Sequence, residues 1–239
     1  MRTLILAAGL GTRLRPLTDT MPKALVPVSG QPLLQHTLNA LIRQGATEAI
    51  VNVHHFSRQI VSYLQQNPQP IPVKVSDESA QLLNTGGGIR QAVGLLPSDC
   101  EEGLLVHNVD ILSNADLRRF YGQNAHRPAA LLVSRRQSTR QLIVRDHRLV
   151  GWKNLTTGEV RGSDNGESYA FSGIHIISPT LVRTAMASYP PAFSIMDFYL
   201  SVCADVPIHV VPDPQLQLLD VGKTASLSQA ADFLARHAG

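Results

Sequence analysis

The first half of the 239-residue chain alternates between short apolar runs and segments with helical spacing. The apolar runs, which are typical of buried strands, are residues 4–8, 49–53, 71–75, 103–106 and 129–133. Helices are predicted at residues 32–44, 57–66, 89–96 and 116–123. Because strands that alternate with helices pair in parallel, this order predicts a doubly wound α/β fold with a mixed, mainly parallel sheet.

The second half has a different pattern, in which polar turns join short strands. Strands are predicted at residues 141–144, 149–152, 171–177 and 208–211, and helices at residues 179–187, 196–204 and 225–236. No clear linker separates the halves, so we expect a single domain spanning residues 1–239. Its first half would be residues 1–135, and residues 136–239 would form a smaller, β-rich half.

The first predicted strand leads into a loop that suits phosphate groups. Residues 1–28 are MRTLILAAGLGTRLRPLTDTMPKALVPV, so Gly9 and Gly11 follow the apolar run directly. A glycine turn after a strand exposes backbone N–H groups that can bind phosphate oxygens. Arg13 and Lys23 add a planar guanidinium and a mobile ammonium group beside that turn. The segment therefore predicts a site for a nucleotide polyphosphate.

Two common phosphate-binding loops do not match this segment. The Walker A pattern, G-x-x-x-x-G-K-[ST], is absent from it. A dinucleotide fingerprint needs a third glycine or an alanine, but Leu14 stands at that position. Pro16 also argues against a helix that begins directly at the loop.

The whole segment instead resembles the signature of the sugar-1-phosphate nucleotidyltransferases, G-x-G-T-R-x-x-P-L-T-x-x-x-P-K-x-L-x-P-V. The matching residues are Gly9, Gly11, Thr12, Arg13, Pro16, Leu17, Thr18, Pro22, Lys23, Leu25, Pro27 and Val28. The resemblance implies a Rossmann-like fold in which residues 1–135 bind the nucleotide and residues 136–239 bind the sugar. It also implies that a sugar 1-phosphate attacks the α-phosphorus of a nucleoside triphosphate and releases pyrophosphate, with catalytic roles for Arg13, Lys23 and Asp110.

The resemblance further implies Mg²⁺ as a cofactor, held by Asp110 and Asp220. Asp110 follows a predicted strand, at the end where open α/β sheets bind ligands. Asp220 begins an Asp-Val-Gly sequence that matches the family's second metal-ligand motif. Two carboxylates suit Mg²⁺, which takes its remaining ligands from phosphate oxygens and water.

For the nucleotide, the resemblance implies contacts from two segments. The first comprises Leu6, Ala8, Gly9, Gly11, Thr12, Arg13 and Lys23. The second is the Leu-Leu-Asn-Thr-Gly-Gly-Gly-Ile element at residues 82–89, in which Thr85, Gly86 and Gly87 would frame the nucleobase, with Glu78 just upstream. We expect these glycines to form a turn before the next helix and to let the backbone approach a flat ligand.

The resemblance assigns the sugar contacts to Asn108, Lys153, Gly173 and Asp197, although Val109 replaces the glycine that the family has there. The compact length and the Phe-Ser-Gly-Ile-His strand at residues 171–175 look most like the uridylyltransferases of N-acetylmuramate 1-phosphate, which favours UTP. Guanylyltransferases for mannose or heptose 1-phosphate and a cytidylyltransferase for phosphocholine stay open as alternatives.

Composition limits the other partners. The net charge of +3 and the lack of a long Lys/Arg run argue against nucleic acid. No stretch is apolar enough to span a bilayer, so no membrane partner is expected. Cys100 and Cys203 follow no disulfide or metal spacing, which favours free thiols and a cytoplasmic location. We expect a monomer or a small homo-oligomer.

Two interpretations from other functional classes remain. A nucleotide-sugar sensor would keep the fold without turnover, but the presence of both Asp110 and Asp220 argues against it. An NAD(P)-dependent dehydrogenase would need the third glycine that this loop lacks. His54, His55 and His107 show no ligand spacing and are interpreted as structural.

Overall fold

The computed structural model describes residues 1–237. Its strands are β1 (Arg2–Leu6), β2 (Pro27–Val28), β3 (Gln31–Pro32), β4 (Glu48–Val53), β5 (Val73–Asp77), β6 (Leu104–Asn108), β7 (Ile111–Ser113), β8 (Ala129–Ser134), β9 (Arg140–Arg145), β10 (Arg148–Asn154), β11 (Val160–Gly162), β12 (Glu167–Ile177), β13 (Ile208–Pro212) and β14 (Leu218–Asp220). Its α-helices are α1 (Leu33–Arg43), α2 (Ser57–Gln66), α3 (Asn84–Val93), α4 (Leu117–Asn124), α5 (Pro179–Ala185), α6 (Ile195–Val202) and α7 (Thr224–Arg236).

One ten-stranded sheet runs through both halves of the chain. Its order is β11-β10-β13-β8-β12-β6-β1-β4-β5, and β9 pairs with both β10 and β12. β1 is parallel to β4 and β6, and β4 is parallel to β5. Four strands of the first half therefore form a parallel block at one side of the sheet.

Helices cover both faces of this parallel block. Leu4 and Ile5 are adjacent in β1 and fully buried, yet they belong to different apolar clusters because successive side chains of a strand point to opposite faces. Leu4 shares its cluster with Ile89 of α3, and Ile5 shares the other cluster with Leu38 of α1. Burial on both faces explains the nearly continuous apolar runs of these strands.

The second half supplies the antiparallel part of the sheet. β12 is antiparallel to both β6 and β8, and β8 is parallel to β13. As a result β6, β8 and β13 all run in one direction. β9, β10 and β11 extend the sheet with further antiparallel pairs. The predicted fold class, a doubly wound mixed sheet with a β-rich part, is confirmed.

A third apolar cluster joins the N-terminal loop to the last helix. Leu14 and Val28 of the loop region pack in it with Val221 and with Phe233 of α7. β7 and β14 form a separate two-stranded ribbon beside this cluster. These two short strands were not predicted, because three residues are too few to show a period.

The helix predicted at residues 89–96 is wrong in its start. α3 begins at Asn84, so the three consecutive glycines lie inside the helix rather than in a turn before it. Glycine has a low helix propensity, but tertiary packing overrides that preference here, as the contacts described below show. Among residues 1–237, no helix combines the length and the apolar character needed to cross a membrane.

Candidate active site

A cavity of about 490 Å³ opens at the carboxyl ends of β1, β4 and β6. The predicted site residues in its lining are Leu6, Ala8, Gly9, Lys23, Thr85, Asn108 and Asp110. The other lining residues were not among the predicted site residues; they are Ala7, Asn52, Leu82, Asn84, Val109 and Ser194. Strand register explains why these residues lie together, because Leu6 pairs with Asn52 on one side and with Asn108 on the other.

Asn52 connects the end of β1 to the segment before α3. Its side-chain oxygen accepts a hydrogen bond from Ala7 N at 2.6 Å, and its amide donates to Glu78 Oε1 at 2.7 Å. The other Glu78 oxygen accepts from Leu83 N at 3.1 Å. Burial raises the pKa of Glu78, although the hydrogen bonds from Asn52 and Leu83 oppose that shift. A polar residue within the buried strand at residues 49–53 was the signal that could have identified Asn52.

Contacts between residues of the glycine loop hold its shape. Gly11 has a φ of +65°, and a Cβ at that position would lie 2.9 Å from Thr18 Cγ2 and 3.0 Å from Lys23 Cβ. The Thr18 hydroxyl donates to Gly11 O at 2.8 Å. Only glycine combines this backbone conformation with such close neighbours. The matching residues of the loop thus hold one another in a fixed shape.

Lys23 and Asp110 form an ion pair inside the cavity. Their side chains are 11% and 17% exposed, so water screens the attraction poorly. Lys23 follows Pro22 in a short 3₁₀ turn, and Asp110 follows β6 directly. Two of the three residues that the sequence assigned to catalysis therefore meet in the cavity, while Arg13 lies outside its lining.

Asp220 lies beside Asp110 because the β7–β14 ribbon brings their backbones together. Asp220 pairs with Ile111, and Val221 N donates to Asp110 O at 2.8 Å. A Cβ on Gly222 would lie 2.5 Å from Asp220 Oδ1 and 2.6 Å from Arg13 Nη2. The missing side chain of Gly222 thus lets the Arg13 guanidinium approach this edge. Neither Asp220 nor Arg13 lines the cavity itself.

Thr85 links the two helices that border the cavity. Its hydroxyl accepts a hydrogen bond from Ile195 N at 2.9 Å, at the first turn of α6. Ser194 caps that helix, since its hydroxyl accepts from Met196 N at 3.1 Å. Because the Thr85 hydroxyl accepts this bond, its own proton is left as a donor toward the cavity.

Gly86 and Gly87 have a packing role that differs from the expected one. Both are buried in α3, and a Cβ on Gly86 would overlap the Phe193 ring, while one on Gly87 would overlap Pro191 O. Gly86 N also donates to Phe193 O at 2.8 Å. Neither glycine lines the cavity. The surface that the two glycines approach in this structure is the segment before α6, and their contact with a flat ligand stays a prediction.

The predicted sugar residues divide into two groups. Gly173, with a φ of +81°, faces Asn108, whose Nδ2 would lie 2.8 Å from a Cβ at that position. Lys153 is on β10, and Asp197 forms an ion pair with Arg161 at 2.6 Å. Lys153 and Asp197 lie outside the lining of the cavity, as do Gly11, Thr12 and Gly173. Asn108 is thus the predicted sugar residue that reaches the cavity wall.

Arg136, which was not among the predicted site residues, lies at the Asp220 edge. Its Nη2 donates to Phe171 O at 2.8 Å. Partial burial lowers the pKa of the Arg136 guanidinium, and the neighbouring Asp220 carboxylate opposes that shift. Asp220 therefore has positive charge near it from both Arg13 and Arg136.

His107 is buried behind the cavity and is structural, as expected. Burial lowers its pKa to about 4, which keeps the ring neutral at pH 7. Its Nδ1 lies 2.8 Å from Asn108 O, so the ring bonds the backbone of the residue that faces the cavity.

The chain is similar to known nucleotidyltransferases. A family model described as Nucleotidyl transferase matches residues 2–141. The chain is 33% identical to the N-acetylmuramate alpha-1-phosphate uridylyltransferase of Caulobacter vibrioides over 213 residues, which cover 84% of each chain. It is 33% identical to the mannose-1-phosphate guanylyltransferase catalytic subunit beta of Danio rerio over 139 residues, which are 56% of this chain and 38% of that protein.

The fold also matches solved structures. The inositol-1-phosphate CTP transferase of T. maritima superposes with a TM-score of 0.80 over 99% of this chain and 95% of that one, at 16% sequence identity. At this identity the match supports the fold alone.

Proposed function

Because the chain belongs to the nucleotidyl transferase family and is a sugar-1-phosphate nucleotidyltransferase, we propose that it joins N-acetylmuramate 1-phosphate to UTP in this cavity, with release of pyrophosphate. The ion pair of Lys23 and Asp110 in the cavity, with Asp220 and Arg13 beside it, carries this proposal. The uridylyltransferase from Caulobacter, which matches along 84% of both chains, supports the choice of substrates. The proposed setting is the cytoplasm.

The donor set at Asp110 and Asp220 fits Mg²⁺. The backbones that carry the two carboxylates are held together by the bond from Val221 N to Asp110 O at 2.8 Å. Within residues 1–237, no cluster of three or more His, Cys, Asp or Glu side chains could hold a metal by itself. A pair of carboxylates suits a cation that completes its shell with phosphate oxygens and water. When bound, Mg²⁺ would supply charge neutralisation for the phosphates.

The side chains of this chain would act by positioning and by opposing negative charge. Lys23 would leave Asp110 and bind an oxygen of the reacting phosphates. Arg13, whose fork suits two phosphate oxygens, would hold the β- and γ-phosphates and the pyrophosphate that departs. No covalent enzyme intermediate is required, because the sugar phosphate attacks the α-phosphorus in line with the leaving group. Orientation and electrostatic stabilisation then provide the rate enhancement.

The two substrates would occupy opposite ends of the cavity. Leu6, Ala8 and Thr85 line it where the nucleoside is proposed to bind, and the Gly9 N–H would face its phosphates. Asn108, with Gly173 behind it, would face the sugar. A Cβ on Gly9 would meet no atom within 4 Å, so there is open space beside this part of the loop for phosphate groups.

A guanylyltransferase for mannose 1-phosphate is the second candidate, favoured by the relative from Danio rerio. Pyrophosphate release with Mg²⁺ would separate the two if UTP, GTP, CTP, ATP and dTTP were crossed with N-acetylmuramate, mannose, heptose and glucose 1-phosphates and with phosphocholine. The proposal predicts the highest kcat/KM for UTP with N-acetylmuramate 1-phosphate. A higher value for GTP with a hexose or heptose phosphate would replace it with the guanylyltransferase function.

A further inference from the structure

Five basic side chains, His126, Arg127, His147, Arg148 and His209, form a group that we term the cationic cluster. Arg127 lies just before β8, and His209 is the second residue of β13. Because β8 and β13 run in the same direction as β6, these positions are at the amino ends of the strands. The active-site cavity is at the carboxyl ends, so the cationic cluster lies at the opposite edge of the sheet.

Three backbone arrangements bring the cluster together. The β9–β10 hairpin turns at Asp146 and His147, whose φ values are +50° and +59°. Val210 N donates to His147 O at 2.8 Å, which holds this turn against β13. Register then sets Arg148 opposite His209. Paired strands and a hydrogen-bonded turn therefore fix the positions of His147, Arg148 and His209.

No carboxylate is among the groups that act electrostatically on His209, although Asp146 lies beside His147 in the hairpin turn. The groups that act electrostatically on His209 are Arg127, Arg148, His126 and His147, and each of them, with burial, lowers the pKa of His209. In the part of the chain from residue 1 to residue 237, none of these five side chains forms an ion pair with a carboxylate. Like charges held this close repel one another, and a bound anion would relieve that repulsion.

Arg127 also has a donor left over. Its Nη1 lies 2.6 Å from His209 Nδ1 and therefore donates to the neutral ring. Its Nε is buried and has no hydrogen-bond partner among the described residues. Buried donors without acceptors are rare in folded proteins, and those that occur often mark a place where a ligand or water binds.

A cavity of about 430 Å³ lies next to these groups. Arg127, His147 and His209 line it together with the amides of Gln123 and Asn124, and no carboxylate takes part in the lining. The histidines are not a metal site, because no three metal-ligating side chains within residues 1–237 are close enough. Guanidinium and imidazole donors around a cavity of this kind suit an oxyanion.

We propose that the cationic cluster is a second binding site, which takes the phosphate group of a small phosphorylated ligand and is separate from the catalytic cavity. Arg127 would donate to the phosphate oxygens, His209 would bind it in its protonated form, and His147 would line the site beside it. Because protonation of the His209 ring favours the anion, the anion in turn favours its protonation, and affinity increases as pH falls.

Inorganic phosphate is the probe that tests the site, with the full chain labelled with ¹³C at its histidine rings and ionic strength held constant with NaCl. The expected result is a saturable shift of the His209 and His147 imidazole signals, assigned with His209→Gln and His147→Gln. The pKa of His209, which burial and the neighbouring cations lower in the free protein, should rise with phosphate bound.

Arg127→Gln should weaken phosphate affinity at the cluster roughly tenfold, as expected for the loss of a charge-assisted hydrogen bond. Arg148→Gln, at an exposed position, provides a second variant if Arg127→Gln unfolds. Arg140→Gln removes an exposed arginine of β9 outside the cluster and should bind as the wild type does. Shifts that are linear in phosphate, equal in all variants or reproduced by chloride would overturn the proposal.

Discussion

At the scale of single residues, the ion pair between Lys23 and Asp110 sets the charge of the cavity before substrates bind. Both side chains are mostly buried, so either charge alone would be poorly solvated. The two opposite charges neutralise each other when no substrate is bound, but in the proposed reaction Lys23 would bind a phosphate oxygen and Asp110 would bind Mg²⁺. Substrate binding must therefore separate the two residues, and the negative phosphates are what make that exchange favourable.

Removal of either partner should reduce turnover more than it reduces folding. We expect Lys23→Ala and Asp110→Ala each to lower kcat by ~10²-fold or more, the range seen when a group that stabilises transition-state charge is lost. Pyrophosphate release at saturating substrates is the measurement. His55→Ala, outside the cavity lining, is the control and should keep wild-type kcat. Turnover close to wild type in Lys23→Ala would remove that residue from the mechanism.

His175 gives a second prediction at this scale, on acid stability. It is 1% exposed, both of its ring nitrogens lack hydrogen-bond partners, and burial lowers its pKa to about 3 from 6.5. As pH falls below 6.5 the unfolded chain takes up the proton first, so stability present at neutral pH is lost toward pH 3. Between pH 6.5 and 5 this loss is roughly 2 kcal/mol for such a histidine.

The variant His175→Phe carries no titrating group between the rings of Phe171 and Tyr199, which His175 contacts. Urea unfolding at pH 7.5 and at pH 5 should show a smaller loss of stability for the variant than for the wild type. If the two proteins lost the same amount between these pH values, His175 would not be the group that titrates.

At the scale of elements, α3 shows why a glycine-rich helix can be more stable than its propensity suggests. Gly86 lies against Phe193, Gly87 against Pro191, and Gly88 against Glu78 and Asn52. A Cβ on Gly88 would lie 2.6 Å from Glu78 Oε1 and 2.7 Å from Asn52 Nδ2. The three glycines thus let one helix approach both the segment before α6 and the network behind the cavity.

A pair of Gly→Ala substitutions separates packing from propensity. Gly86→Ala should destabilise the protein by ~1–3 kcal/mol, since the new methyl group overlaps the Phe193 ring. Gly122→Ala is the matched control, because Gly122 is an exposed helical position of α4 with no atom within 4 Å of the added Cβ. That variant should gain about 0.5–1 kcal/mol from helix propensity. Thermal melts measure both, and a stabilised Gly86→Ala would contradict the packing interpretation.

At the scale of the whole molecule, the sequence predicted the features that follow from local patterns. The parallel block, the glycine loop and the polar end of β6 are all visible as runs and motifs. Asn52 was outside the predicted set because its role comes from strand register, which places it beside Leu6. Glu78 was noted only as lying upstream of the glycines, and its bonds with Asn52 and Leu83 are contacts that a local pattern does not show. The contact of Arg136 with the Asp220 edge depends on the path of β12 and is equally invisible in a local pattern.

α7 supports the candidate active site through packing, although none of its residues lines the cavity. Phe233 of α7 is 6% exposed and packs in the cluster that contains Leu14 and Val221. Leu14 follows Arg13, and Val221 follows Asp220 and bonds Asp110 O. The last helix thus packs on Leu14 and Val221, which adjoin the glycine loop and the carboxylates. Removal of this helix should disturb both parts of the site.

Phe233→Ala should therefore lose activity as well as stability. A buried Phe→Ala change costs about 3–5 kcal/mol, and a small displacement of Arg13 and Asp220 should lower kcat/KM for the nucleotide roughly tenfold or more. Phe120→Ala is the matched control, because Phe120 is 5% exposed and belongs to α4, which packs on β8 and lies outside the cluster of Leu14 and Val221. At a temperature where both variants are folded, Phe120→Ala should keep the wild-type kcat/KM per folded molecule. Equal losses in the two variants would mean that α7 supports overall stability alone, and the link from the last helix to the site would have to be abandoned.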